Sequence, residues 1–95
     1  MVAYVIAEID VHDTKTYEGY KTGGAASIEE YGGRYLTRGG RVESLEGIAA
    51  ASRVVVLQFD TLDAAKRWYN SPEYQAAAKI RRASATGRLY TVEGL

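Results

Sequence analysis

The chain has 95 residues, with twelve lysines and arginines against twelve aspartates and glutamates, one histidine and no cysteine. That length suits one domain with one core, 1–95, and the balanced charge argues against a nucleic-acid or anionic-lipid partner. The missing cysteines exclude disulfides, thiolate nucleophiles and cysteine metal sites; no basic leader and no apolar run of membrane-spanning length is present, so a soluble cytoplasmic protein is expected.

At this size a monomer buries only about 60–65% of the surface its unfolded chain exposes, and self-association is a ready way to bury more. Eight tyrosines stand against one phenylalanine. Tyrosine joins an apolar body to a polar tip, which suits half-wet interiors and interfaces.

Residues 3–11 alternate as a strand does, with Ala3, Val5, Ala7 and Ile9 on one face and Tyr4, Ile6, Glu8 and Asp10 on the other. Asp13 is a helix N-cap, and from Thr14 to about Tyr31 the residues Tyr17, Tyr20, Gly24, Ile28 and Tyr31 make one helical stripe. Gly19, Gly23 and Gly24 weaken this helix by up to about 1 kcal/mol each relative to alanine. They imply either a bend or the close approach of another backbone. Gly32-Gly33 ends the helix.

A strand Arg34–Arg38 follows, read with Arg34, Leu36 and Arg38 on one face and Tyr35 and Thr37 on the other. Gly39-Gly40 reads as a tight hairpin turn, residues 41–45 as a short return or strand extension, and 46–52 as a loop. Residues 53–59 form the clearest strand, with Val55, Leu57 and Phe59 opposed to Val54, Val56 and Gln58. Thr61 caps a helix through about Asn70, with Leu62, Ala65, Trp68 and Tyr69 inward. Ser71-Pro72-Glu73 restarts it as N-cap, first helical position and acidic first turn. Tyr74, Ala77, Ala78 and Arg81 share the inner side, Thr86-Gly87 ends the helix, and Arg88–Glu93 is the last strand.

The order strand, helix, strand, strand, helix, strand predicts an α+β fold, a ferredoxin-like βαββαβ sandwich. Helices cover one face of such a sheet. The other would carry Ile6, Glu8, Val54, Val56 and Gln58, too apolar for open solvent and too polar for a dry core. A homodimer stacked sheet to sheet is expected.

Gly32-Gly33-Arg34-Tyr35 with Arg38-Gly39-Gly40, Leu45-Glu46-Gly47, Arg53–Phe59, Trp68-Tyr69-Asn70-Ser71-Pro72-Glu73-Tyr74 and Val92-Glu93-Gly94 resemble the domain of unknown function 1330 family over essentially the whole chain. The resemblance implies the dimeric α+β barrel superfamily, which also holds small monooxygenases, haem-degrading enzymes, isomerases and stress-induced proteins. It implies no established reaction. Two departures stand out: the first helix is glycine-rich, and Gly47–Ser52 lacks the aromatic often found there.

His12, the only histidine, is either a general base or a solvated corner residue, and alone it makes no zinc site. Arg81 lies on the inner stripe of its helix, so its charge needs a partner: Glu8, Glu46, Glu93 or a ligand carboxylate. The guanidinium forks of Arg34 and Arg38 suit carboxylate or enolate oxygens. Tyr20, Tyr31, Tyr35, Trp68 and Tyr74 either line an aromatic pocket or fill the core. The two glycine pairs lack a phosphate-loop pattern.

Two functions follow. One is a homodimer binding a small aromatic or apolar acid, with His12, Arg38 and Arg81 as catalytic candidates for proton transfer or cofactor-free oxygenation. The other is a non-catalytic structural or ligand-sensing dimer. Neither calls for a metal or a cofactor.

Overall fold

In a computed structural model describing residues 1–95, strand β1 spans Ala3–Val11 and buries Ala3, Val5, Ala7 and Ile9, the alternation expected. Asp13 caps helix α1 (Thr14–Glu30), its carboxylate accepting from the Thr16 backbone N–H at 3.1 Å. Strands β2 (Arg34–Arg38) and β3 (Arg53–Phe59) follow, then helix α2 (Leu62–Tyr69) capped by Thr61. Helix α3 (Pro72–Ser84) starts on the Ser71 cap with Pro72 in its first turn, and β4 (Ala85–Glu93) closes the fold.

The four strands form one antiparallel sheet in the order β2-β3-β1-β4. The helices lie on one face of it, as the ferredoxin-like pattern requires. Trp68 and Tyr74 from α2 and α3 pack against Val5, Leu57 and Phe59 of the sheet and Ile28 of α1. A smaller cluster of Ala7, Ile9, Tyr17 and Ala85 fills the other end. Helix α1 runs unbroken through Gly23-Gly24. A methyl on Gly23 would stand 3.3 Å from the Ala77 side chain of α3, so the glycine serves close helix approach rather than a bend.

Three local expectations are corrected. First, Arg34 pairs with Gln58 and Tyr35 with Leu57, but Thr37 pairs with Val56 and Arg38 with Val55, leaving Leu36 as the extra residue of a β-bulge. Past the bulge the faces exchange. Thr37 turns to the open side, where its hydroxyl accepts from the Val56 N–H at 3.1 Å, and Arg38 joins Tyr35 on the helix side.

Second, residues 41–45 form no strand. Gly39 does turn the chain with φ at 71°, but β3 already has β2 and β1 on its two edges, so the return segment has no edge of it to join. The connection is tied back instead by Ser52 N–H to the Asp10 carboxylate at 2.9 Å.

Third, α3 ends at Ser84 and not at Thr86-Gly87. The Ser84 carbonyl accepts from the backbone N–H groups of His12 and Asp13, at 3.0 and 3.1 Å, so the helix end needs no glycine cap. Gly87 sits inside β4 opposite Ile9, where a Cβ would overlap the Glu8 carbonyl.

The face of the sheet away from the helices carries Ile6, Glu8, Val54, Val56 and Gln58 as expected, with Arg88, Tyr90 and Val92 added by β4. Glu8 accepts from Tyr90 at 2.6 Å and from Arg88 at 3.1 Å. Those bonds, Tyr90 first, hold its carboxyl below the usual range and raise the Tyr90 phenol.

Candidate site: an arginine- and tyrosine-lined cleft between helices and sheet

The exchange of faces at Leu36 builds the site. It brings Arg38 onto the helix side, opposite Val55, with Arg53 two residues along the same face of β3. The Arg38 guanidinium stacks 4.5 Å from the centre of the Tyr35 ring. Arg53 stands 5.7 Å from the centre of the Tyr17 ring, and the Lys21 ammonium stands 6.0 Å from that same centre. Each cation is thus placed near the electron-rich ring of a tyrosine.

These residues line a cavity of about 30 Å³ floored by Val5, Ala7, Ile9, Val55 and Leu57. Trp68, Val5 and Leu89 also line a second, apolar cavity of about 170 Å³ under α2, which opens beside Lys66, Asn70 and Thr91. The two cavities adjoin, with those three side chains between them.

Charge in the cleft is one-sided. The ion pairs of the structure are Lys21–Glu18 at 3.0 Å, Arg41–Glu43 at 3.9 Å and Arg88–Glu8 at 3.1 Å. None involves Arg38, Arg53 or Arg81. The Arg53 Nε is buried and has no hydrogen-bond partner. The rest of that guanidinium lies close to Gly39, so that a Cβ there would require its tip to swing aside. Arg53 therefore lies between the Tyr17 ring and the Gly39 backbone.

Behind Tyr17 the aromatic chain continues inward. Tyr20 packs 5.2 Å from Tyr17, its hydroxyl meets that of Tyr74 at 3.1 Å, and Arg81 Nε donates to the Tyr74 hydroxyl at 3.3 Å. Arg81 is buried and draws on this phenol alone. Glu8, the first partner considered for it, lies on the opposite face of the sheet with Arg88 and Tyr90. Burial pushes the Tyr20 phenol far up, and the adjoining Tyr74 adds to the effect. Burial also raises Tyr35, against the pull of Arg38 and Arg53. Both phenols are hydrogen-bonding groups rather than bases.

Of the residues singled out in the sequence, Tyr20, Tyr35, Arg38 and Trp68 meet at one cavity, and Tyr74 and Arg81 adjoin it through Tyr20. Three do not meet there. Arg34 is exposed at a strand position opposite Gln58, Tyr31 bonds to Glu73 at the first turn of α3, and His12 is exposed at the β1–α1 corner. Tyr17, Lys21 and Arg53 join the site without having been candidates for it. Alternation along β3 places Arg53 on the face of Val55 and Leu57, so for that residue the sequence does carry a signal. No group of three or more histidine, aspartate or glutamate side chains is placed to hold a metal ion, and no helix is long and apolar enough to cross a membrane.

The chain is similar in structure to RPA0582, a protein of unknown function from Rhodopseudomonas palustris, at 18% identity and a TM-score of 0.81 over 99% of this chain and 82% of that one. It is similar to SnoaB, a cofactor-independent oxygenase from Streptomyces nogalater, at 15% identity and a TM-score of 0.67 over 99% and 93%. A dimeric protein of unknown function with a ferredoxin-like fold from Bacteroides fragilis matches at 17% identity and a TM-score of 0.62 over 98% and 95%. Such identities bear on the fold alone, and no curated protein matches in sequence. The family model for the domain of unknown function DUF1330 matches residues 2–95, and this chain belongs to that family.

Proposed function

We propose that the protein is a homodimer that binds a small aromatic or apolar acid in the cleft between its helices and its sheet, with the acid group on Arg38 and Arg53. The observation that carries this reading is the buried, unpartnered Nε of Arg53, with the solvent-exposed guanidinium of Arg38 on the same sheet face. A partly buried guanidinium with no counter-ion, as at Arg53, is costly unless a ligand supplies one. The apolar floor and tyrosine walls suit the body of such a ligand.

Pairing through the open sheet face would cover Val54, Val56, Tyr90 and Val92, and the almost fully exposed Leu45 and Ile48 of the β2–β3 connection are available to the same contact. The dimeric neighbour from Bacteroides fragilis supports this assembly.

The same cations would hold an enolate or phenolate as well as a carboxylate, so the reading extends to proton transfer or cofactor-free oxygenation on such a ligand. The cleft offers guanidiniums, an ammonium and phenols, with no carboxylate or imidazole among its lining residues. A substrate would have to enter already ionised. His12 has no part in this chemistry, being at an exposed corner.

Titration calorimetry with benzoate and a hydroxynaphthoate tests the binding reading: saturable heat is expected, lost in the Arg38→Gln, Arg53→Gln double variant. Equal heat from that variant would remove the arginine site. Oxygen uptake with the hydroxynaphthoate separates an oxygenase from a non-catalytic binder. Sedimentation of wild type and Val56→Glu tests the assembly, with a dimer expected for the first and a monomer for the second.

A further inference from the structure

Resting on the reading that an acid binds in this cleft, we propose that its ligand carries two negative charges at one end, as in a phosphate monoester or a vicinal dicarboxylate. Arg38 lies opposite Val55, and Arg53 is two residues away on the same sheet face. Their backbones are diagonal strand neighbours, about 7–8 Å apart. Lys21 comes from α1 and shares the Tyr17 ring with Arg53. Three cationic residues therefore line one small cavity, Arg38 reaching solvent and Lys21 paired with Glu18.

The groups facing them do not balance that charge. From β1 come Val5, Ala7 and Ile9, from β4 Leu89, from α2 Trp68, and from α1 two tyrosines. Glu18 is the one carboxylate in contact with any of the three, and it meets Lys21 on the solvent side, with two-thirds of its side chain exposed. One monoanion would pair with one guanidinium and leave the other to water. A dianion gives each arginine its own oxygen pair.

Both arginines also stand beside aromatic rings. Arg38 stacks on Tyr35, and Arg53 lies between Tyr17 and Gly39 with its Nε unengaged. The ring contacts leave both guanidiniums on the helix side of the sheet, where a two-pronged anion could engage both.

Calorimetry on the intact protein at fixed ionic strength, with phenyl phosphate, phthalate and benzoate as probes, tests the charge of the ligand. Both dianions, or one of them, should bind at least about tenfold more tightly than benzoate. A preference for phenyl phosphate identifies the phosphate ester as the source chemistry, and a preference for phthalate the dicarboxylate. Arg38→Gln and Arg53→Gln should each cut that preference to about twofold or less, with Arg53→Lys in between because it keeps a charge but loses the fork. Urea unfolding checks that each variant is folded, and the lysine variant carries the test where the glutamine variant is not. Benzoate binding as tightly as the dianions would overturn the two-charge proposal and leave the acid site standing. Absence of binding by all three probes would overturn both.

Discussion

The indole N–H of Trp68 donates to the Ser27 hydroxyl at 3.1 Å, joining α2 to α1 through the middle of the core. Trp68 is 1% exposed and Ser27 2%. Ser27 in turn donates to the Gly24 carbonyl at 2.8 Å, so its hydroxyl is engaged on both sides. Ser27→Ala leaves a buried indole N–H without a partner and should destabilise the fold by about 1–3 kcal/mol in urea unfolding. A loss under about 0.5 kcal/mol would mean that the indole finds another partner.

Two glycines should respond oppositely to alanine. At Gly87 a Cβ would overlap the Glu8 carbonyl, and φ there is 155°. The β1–β4 pairing, which runs from Ala3–Glu93 to Val11–Ala85, would have to open around it. Gly87→Ala should cost upwards of about 2 kcal/mol. A methyl added at Gly40 would meet no atom within 4 Å, and φ there is ordinary, so Gly40→Ala should be neutral or slightly stabilising. The pair is read in one series of thermal melts.

Acid should weaken the fold through three carboxylates. Glu8 is lowered by Tyr90 and Arg88, Asp10 by the Ser52 backbone and hydroxyl, and Asp13 by Thr16. A carboxyl whose pKa is lower in the folded state than in the unfolded chain stabilises the fold fully above the unfolded value. That contribution is lost as pH falls through the folded one. The reference values are 4.5 for Glu8 and 3.8 for the two aspartates. The melting temperature should therefore hold above about pH 5 and fall below it. Glu8→Gln should flatten the upper part of that fall, and an unchanged profile would show that Glu8 is not coupled to folding.

Arg81 and Tyr74 should also differ in sign. Tyr74→Phe removes the hydroxyl that serves both Tyr20 and Arg81, and should cost about 1–3 kcal/mol. Arg81→Met replaces a buried cation that has no carboxylate by an apolar side chain of similar length, and should cost less than about 1 kcal/mol or stabilise. Equilibrium unfolding of the two variants measures both. A large loss for Arg81→Met would reveal a compensating anion.

Much of the architecture is legible in the chain itself. Alternation over residues 3–11 and 53–59, the caps at Asp13, Thr61 and Ser71, and the stripe from Tyr17 to Tyr31 each rest on interactions within a few residues, and each stands where the pattern puts it. The open sheet face is legible for the same reason. The site is not. Whether Arg38 looks toward the helices depends on a one-residue bulge at Leu36, and that register is set by Gln58, Leu57 and Val56, some twenty residues further on. That Arg81 finds the Tyr74 hydroxyl, itself bonded to Tyr20, depends on how α3 packs against α1. The local pattern determined the elements and their inward faces. Only the pairing of strands and layers decided that Arg38, Arg53 and Lys21 meet around two tyrosine rings, because such contacts join residues whose separation along the chain carries no local signal.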